Sequence, residues 1–201
     1  LNKMEILDGK KISNIIKNEI FHEVSVIKNK YNIVPHLAAI LVGNHPASRT
    51  YVNAKIKACK EVNFKSSIFH YDDNISEKKL MIEINKLNNN IDIDGFIVQL
   101  PLPNHINKLN IINQIKPSKD VDGFHPLNFG KLINDDPTFI PATPMGIVEL
   151  IKRYNINTNG KHCVVVGRSK IVGLPISILM SKNNNFANCT VTLTHSKTIN
   201  I

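Results

Sequence analysis

Leu37-Ala-Ala-Ile-Leu-Val42 is an unbroken apolar run closed by Gly43. A strand with one wet face alternates apolar and polar residues. An unbroken run therefore needs cover on both faces, which is the condition of a parallel sheet flanked by helices. Two further runs repeat the pattern: Phe96-Ile-Val-Gln-Leu100 after Asp94-Gly95, and Cys163-Val-Val-Val166 before Gly167. Helical periodicity fills the intervals. Ile12, Ile15, Ile16, Ile20, Val24 and Ile27 share one face of a helix over 12–28. Ser76 caps a helix through Leu87 with Glu77 in its first turn, and a weaker helix covers 106–115. With Ser66–Tyr71 as a further strand, the first part of the chain alternates strand and helix, the signature of a parallel α/β domain.

A second unit follows an irregular connection over 125–139. Thr143 is placed to cap a helix whose first residue is Pro144 and which runs to Tyr154. Strand Cys163–Val166, the turn Gly167–Gly173, helix Leu174–Ser181 and strand Thr190–Leu193 form half of a dinucleotide-binding βαβ unit. The expected architecture is α/β: a parallel catalytic domain over 1–139, then the N-terminal portion of a Rossmann-like nucleotide-binding domain over 140–201.

Open parallel sheets bind ligands at the carboxyl ends of their strands. Just after the first strand, Pro46-Ala-Ser-Arg-Thr-Tyr-Val-Asn-Ala-Lys55 reads as helix, with Asn44 as cap and Pro46 in the first turn. Tyr51 and Lys55, four apart, then share one face. Read alone, such a pair is also an ordinary amphipathic surface. Gln99 and the loop Lys116-Pro-Ser-Lys-Asp-Val-Asp-Gly-Phe124 fall at strand ends too, although Asp120 and Asp122 also suit a solvated turn. In the second unit the glycine spacing departs from Gly-x-Gly-x-x-Gly. Backbone N–H groups at the start of its helix would attract a pyrophosphate. Arg168 offers a bidentate fork for phosphate. The next strand ends near Ser196 with no acid to accept from a ribose 2′-hydroxyl, which favours NADP over NAD.

Composition narrows the classes. The net charge is +9, yet the lysines are spread among Asn and Ile, as in Lys86-Leu-Asn-Asn-Asn-Ile91 and Lys182-Asn-Asn-Asn185, and there is no Trp. That reads as compositional bias, not as a basic stripe for nucleic acid, and no nucleic-acid partner is expected. No apolar run is long enough to cross a bilayer and no signal-peptide pattern opens the sequence, so no membrane partner is expected. Cys59, Cys163 and Cys189 lack metal-like spacing, so no metal site is expected. They read as reduced thiols in a cytoplasmic setting.

Five segments in order resemble the bifunctional methylenetetrahydrofolate dehydrogenase/cyclohydrolase family: Pro46–Cys59, Val98-Gln-Leu-Pro-Leu-Pro103, Lys119-Asp-Val-Asp-Gly-Phe-His-Pro126, Pro141-Ala-Thr-Pro144 and Val166-Gly-Arg-Ser-Lys-Ile-Val-Gly-Leu-Pro175. The resemblance runs over residues 7–201. It implies oxidation of 5,10-methylenetetrahydrofolate with NADP and hydrolysis of the methenyl product to 10-formyltetrahydrofolate. It implies that Lys55 is the catalytic lysine, Tyr51 stacks on and orients the folate, Gln99 partners the lysine, and Asp122 holds the pterin. Ser48, Val98 and Leu100 would join them in lining the folate site, while Gly167, Arg168, Ser169 and Ser196 contact NADP. The residue types suit this chemistry. The methenyl carbon is amidinium-like, so water attack needs a base, and a lysine serves when desolvation lowers its pKa. Asp122 can accept two N–H bonds from a pterin edge.

Ala142 stands where the family commonly has Cys. The family also continues beyond the point matched by Ile201, so the resemblance implies a fragment with an incomplete nucleotide sheet, and it implies a homodimer. Two rival readings are a folate-binding module without turnover and a short-chain dehydrogenase using Ser48, Tyr51 and Lys55. The latter class places its glycine-rich turn before the Tyr/Lys helix, whereas here it comes after.

Overall fold

The computed structural model describes residue 4 and residues 6–200. They form two compact units: residues 14–121, and the N-terminal residues through 13 together with residues from 122 onward. Helix α1 (Gly9–Tyr31) leads into the first unit. It is followed by β1 (His36–Val42), α2 (Pro46–Glu61), β2 (Lys65–Tyr71), α3 (Glu77–Asn89), β3 (Gly95–Val98) and α4 (Lys108–Gln114).

The sheet is parallel, in the order β2-β1-β3, with Ile40 of β1 opposite Phe69 and Val98. Alternation along β1 sorts two cores. Ala38, Ile40 and Val42, with Phe96 and Val98, pack against Leu80, Ile84 and Leu87 of α3 and Ile111 of α4. Ala39, Leu41 and Ile97 meet Val52 and Ile56 of α2, with Val121 closing the layer. This double cover is what the unbroken apolar run requires, and each large side chain so buried contributes roughly 2 kcal/mol.

The sheet extends beyond β3 by one rudimentary rung. Phe96 N donates to Lys119 O at 2.9 Å, and Phe96 and Asp120 form a parallel bridge. Gly95 makes that approach possible, because a Cβ on it would lie 2.3 Å from Val121 Cγ1.

In the second unit, α5 (Pro126–Ile133), α6 (Ala142–Arg153) and α7 (Gly173–Ser181) cover one face of the parallel pair β4 (His162–Val166) and β5 (Thr190–Thr194). Leu132, Val148, Ile176, Leu179 and Met180 form the core with Cys163, Val165 and Val191. The alternate face of β4 presents Val164 and Val166, which are 53% and 71% exposed.

The sequence reading needs correction at three places. The 125–139 connection contains α5, whose start is built by Pro126 at the first turn and by His125, which accepts from Leu127 N. Helix α6 begins at Ala142 after Pro141, so Thr143 and Pro144 lie inside its first turn and neither is a cap. His45, not Asn44, precedes α2 and makes no side-chain cap bond, so Pro46, which gives up no N–H, starts this helix without one.

Two residues of the Asn-rich runs make structural contacts. Asn88 is buried. Lys182 donates to Leu132 O and pairs with Asp135, tying α5 to the end of α7. No described helix is long and apolar enough to cross a membrane, and no group of three or more His, Cys, Asp or Glu among the described residues is placed to hold a metal.

The Gly95–Val121 contact makes a clear prediction. Gly95→Ala should lower unfolding free energy by about 1–3 kcal/mol in urea titration, the usual cost of overpacking. Adding Val121→Ala should recover much of it, because the obstructing atom is Cγ1 of that side chain.

Candidate functional site

Helix α2 carries the first group of candidate residues. Its buried residues are Ser48, Val52 and Cys59, and half-buried Lys55 continues the same stripe at spacings of four, three and four. Lys55 thus lies beside Val52 and Ile56, which pack on the β1–β3 face. Side chains in a helix lean toward its N-terminus. The ammonium of Lys55 is therefore carried back toward the carboxyl end of β1, from which α2 departs. Tyr51, one turn earlier, is 64% exposed, leaving its ring face available to a planar ligand. Burial pushes the Cys59 thiol up, so this residue belongs to the core and is not a nucleophile.

The second group stands at the end of β3. Val98 is buried, and Gln99 N continues the ladder by donating to Ile40 O at 2.9 Å. Alternation places Gln99 on the side of Ile97, which is the α2 side. Its Nε2 donates to Leu100 O at 2.6 Å, fixing the amide against its own loop. Ser48, Tyr51 and Lys55 on α2 and Val98, Gln99 and Leu100 at the end of β3 thus belong to elements of the first unit that leave the sheet at the same end. Asp122 follows Val121 directly and is half-buried; it is the first residue of the other unit.

The nucleotide candidates lie at the carboxyl ends of β4 and β5. Val166 pairs with Thr194, so the loops bearing Gly167-Arg-Ser169 and Ser196 leave from neighbouring positions. Gly167 adopts φ +118°, and nothing lies within 4 Å of a Cβ built there; a Cβ on Gly173 would sit 1.9 Å from Gly167 O. Only paired glycines allow that closure. Ser169 locks it: its Oγ accepts from Val172 N at 3.1 Å and Gly173 N at 3.3 Å, and its carbonyl from Leu174 N at 3.0 Å.

Those bonds, with Pro175 lacking an N–H, leave the start of α7 little amide capacity for a pyrophosphate, contrary to the expectation from sequence. Anion recognition passes to the side chains. Arg168, Ser169, Lys170, Ser196 and Lys197 are exposed, and neither 167–173 nor 195–198 contains a carboxylate. An open, glycine-walled turn bordered by cations fits a phosphorylated dinucleotide.

Residues 7–122 match the catalytic domain of tetrahydrofolate dehydrogenase/cyclohydrolase, and residues 141–201 match its NAD(P)-binding domain. This chain belongs to that family. It is 60% identical over 198 residues to the bifunctional protein FolD of Christiangramia forsetii, covering 98% of this chain and 66% of the relative. Identity to the Flavobacterium johnsoniae FolD is 55% over 195 residues, with 97% and 66% covered. Among solved structures, the Campylobacter jejuni bifunctional FolD superposes with TM-score 0.93 at 44% identity, covering 98% of this chain and 68% of that one. A Trypanosoma brucei methylenetetrahydrofolate dehydrogenase-cyclohydrolase, complexed with NADP and an inhibitor, gives 0.90 at 32% identity, with 98% and 66% covered. The chain spans about two thirds of the length of the curated relatives it matches.

Sequence reasoning missed two features of the family chain. One is the locking role of Ser169, whose residue type signals a cap but whose target depends on the turn's path. The other is the set of polar ties around Asn88 and Lys119. Ser169→Ala should lower stability by about 1 kcal/mol, as loss of a helix-cap acceptor does. Thermal unfolding and hydrogen exchange at the Val172 and Gly173 amides would measure it.

Proposed function

We propose that this chain takes part in NADP-dependent oxidation of 5,10-methylenetetrahydrofolate to 5,10-methenyltetrahydrofolate, followed by hydrolysis to 10-formyltetrahydrofolate. The folate-binding catalytic domain is assigned to residues 1–139 and the nucleotide-binding portion to 140–201. The observation that carries the reading is the half-buried Lys55 on the α2 stripe, beside the sheet face on which Gln99 follows Ile97. Family membership supports it independently.

When bound, NADP would supply the hydride acceptor for the methylene carbon. Gly167, Arg168, Ser169 and Ser196 would hold it, the guanidinium of Arg168 favouring a 2′-phosphate where an acid would repel it. Tyr51 stacks on the folate and orients it, Asp122 accepts from the pterin edge, and Ser48, Val98 and Leu100 line the remaining surface.

In the hydrolytic half Lys55 is the base. Its amine takes a proton from water as the water oxygen bonds to the methenyl carbon. The resulting ammonium returns that proton to N5 as the carbon–N5 bond breaks. The hydroxyl proton leaves to solvent as the formyl C=O forms on N10. Gln99 orients the lysine without adding a competing charge. A homodimer in the cytoplasm completes the reading.

Lys55→Met tests it through absorbance of the methenyl compound. Cyclohydrolase turnover should fall by about a hundredfold or more, within the range for loss of a positioned base. Affinity for NADP should stay unchanged. Normal hydrolysis by the variant would remove Lys55 from its role, and failure of the unaltered protein to bind tetrahydrofolate would remove the folate assignment.

A further inference from the structure

Asp122 stands at the end of the 116–121 loop, whose aliphatic contact with the sheet layer is made by Val121. Residues 116–121 run beside β3, and an open cleft of about 470 Å³ beside the loop and the end of α3 is lined by Asn88, Asn90, Ile93, Asp94, Lys116 and Lys119. On the side of this cleft the loop is held by polar ties. The structure supplies a dense set of them, all reaching to the last turn of α3.

Asn88, only 4% exposed, works as a two-way clamp. Its Nδ2 donates to Gln114 O at 2.7 Å and its Oδ1 accepts from Lys116 N at 2.8 Å, so one side chain grips the backbone on both sides of Ile115. Lys116 Nζ reaches Asn89 Oδ1 at 2.9 Å. Lys119 completes the brace, with Nζ donating to Leu87 O at 3.1 Å and Asn90 O at 2.6 Å. Those carbonyls belong to the end of α3, where a cation is favoured by the helix dipole. The backbone of Lys119 meanwhile accepts from Phe96 N, and Val121 rests on Gly95. Desolvation, with Lys116 nearby, holds the Lys119 ammonium below the ordinary lysine range while Asp94 opposes the shift. Its Nζ lies between the Leu87 and Asn90 carbonyls at the rim of the cleft.

We propose that Asn88 and Lys119 are positioning residues for substrate binding: by tying the 116–121 loop to the end of α3 and to β3, they set the place from which Asp122 engages the pterin. The inference rests on the assignment of Asp122 to the pterin. A short carboxylate gains charge-assisted bonds to a planar edge only within a narrow range of placement, and displacement by about 1 Å can cost far more than the loss of one neutral hydrogen bond.

Lys119→Met removes the single ammonium that makes both bonds at nearly constant volume, Lys119→Arg keeps a donor able to reach carbonyls, and Asn88→Asp keeps the acceptor for Lys116 while losing the donor to Gln114. Tetrahydrofolate is the probe, titrated calorimetrically under reducing conditions, with NADP titrated separately and hydrogen exchange followed at Phe96 N–H. The expected result is a Kd for tetrahydrofolate raised about tenfold or more in Lys119→Met and Asn88→Asp, as for loosening of a supporting shell. Affinity for NADP should be unchanged, Phe96 exchange faster, and Lys119→Arg should restore binding.

The decisive comparison is Lys119→Met placed on Asp122→Asn. If Lys119 acts through Asp122, the double variant binds tetrahydrofolate no more weakly than Asp122→Asn alone. If the losses add, or if folate and NADP affinities fall together with thermal stability, the positioning role is overturned while the pterin assignment stands. If Asp122→Asn alone leaves tetrahydrofolate affinity intact, the pterin assignment fails and this inference falls with it. Asn88→Asp provides the same readouts should Lys119→Met not fold.

Discussion

Burial of β1 on both faces is the constraint from which the first unit follows. Ala38, Ala39 and Ile40 are wholly inaccessible, so helices must lie on each side and the neighbouring strands must pair in parallel. That arrangement sends β1 and β3 out at the same end and starts α2 there. Lys55 and Gln99 share a face because strand alternation and helix periodicity agree about which side is inward. The chemistry proposed for Lys55 would sit on the seam between an apolar layer and the open end of the sheet.

The second unit solves its problem differently. It joins β4 to α7 by a turn in which Gly173 approaches the Gly167 carbonyl too closely for any side chain there, and one serine consumes the first amides of the helix. A helix start that satisfies itself has little left for a ligand. In the proposed reading, discrimination between nucleotides would rest on Arg168 and on the lack of a carboxylate in 167–173 and 195–198. Such a site is tuned by charge more than by backbone geometry.

Much of this was legible in the residues. The unbroken apolar runs announced parallel strands, Ser76 announced the start of α3 and accepts from Lys79 N as a cap should, and the family motifs marked the candidate site. What stayed hidden depends on tertiary placement. Helix α5 is short and lies among Pro126, Gly130 and Pro137, so periodicity had too few turns to register. In the Lys86–Ile91 run, composition alone does not distinguish Asn88, buried and gripping two backbone groups, from its exposed neighbours. Only the approach of the 116–121 loop gives that amide its partners. An identical Asn-Asn-Asn string on open surface would read the same.

The exposed face of β4 has a practical side. Val164 and Val166 offer β-branched side chains to solvent from one face of a parallel strand pair. An environment-sensitive dye that brightens on oily surfaces would find a docking place on the native molecule, so dye-monitored melts would begin from a high baseline. Intrinsic probes, or calorimetry, would read the unfolding of this chain more faithfully.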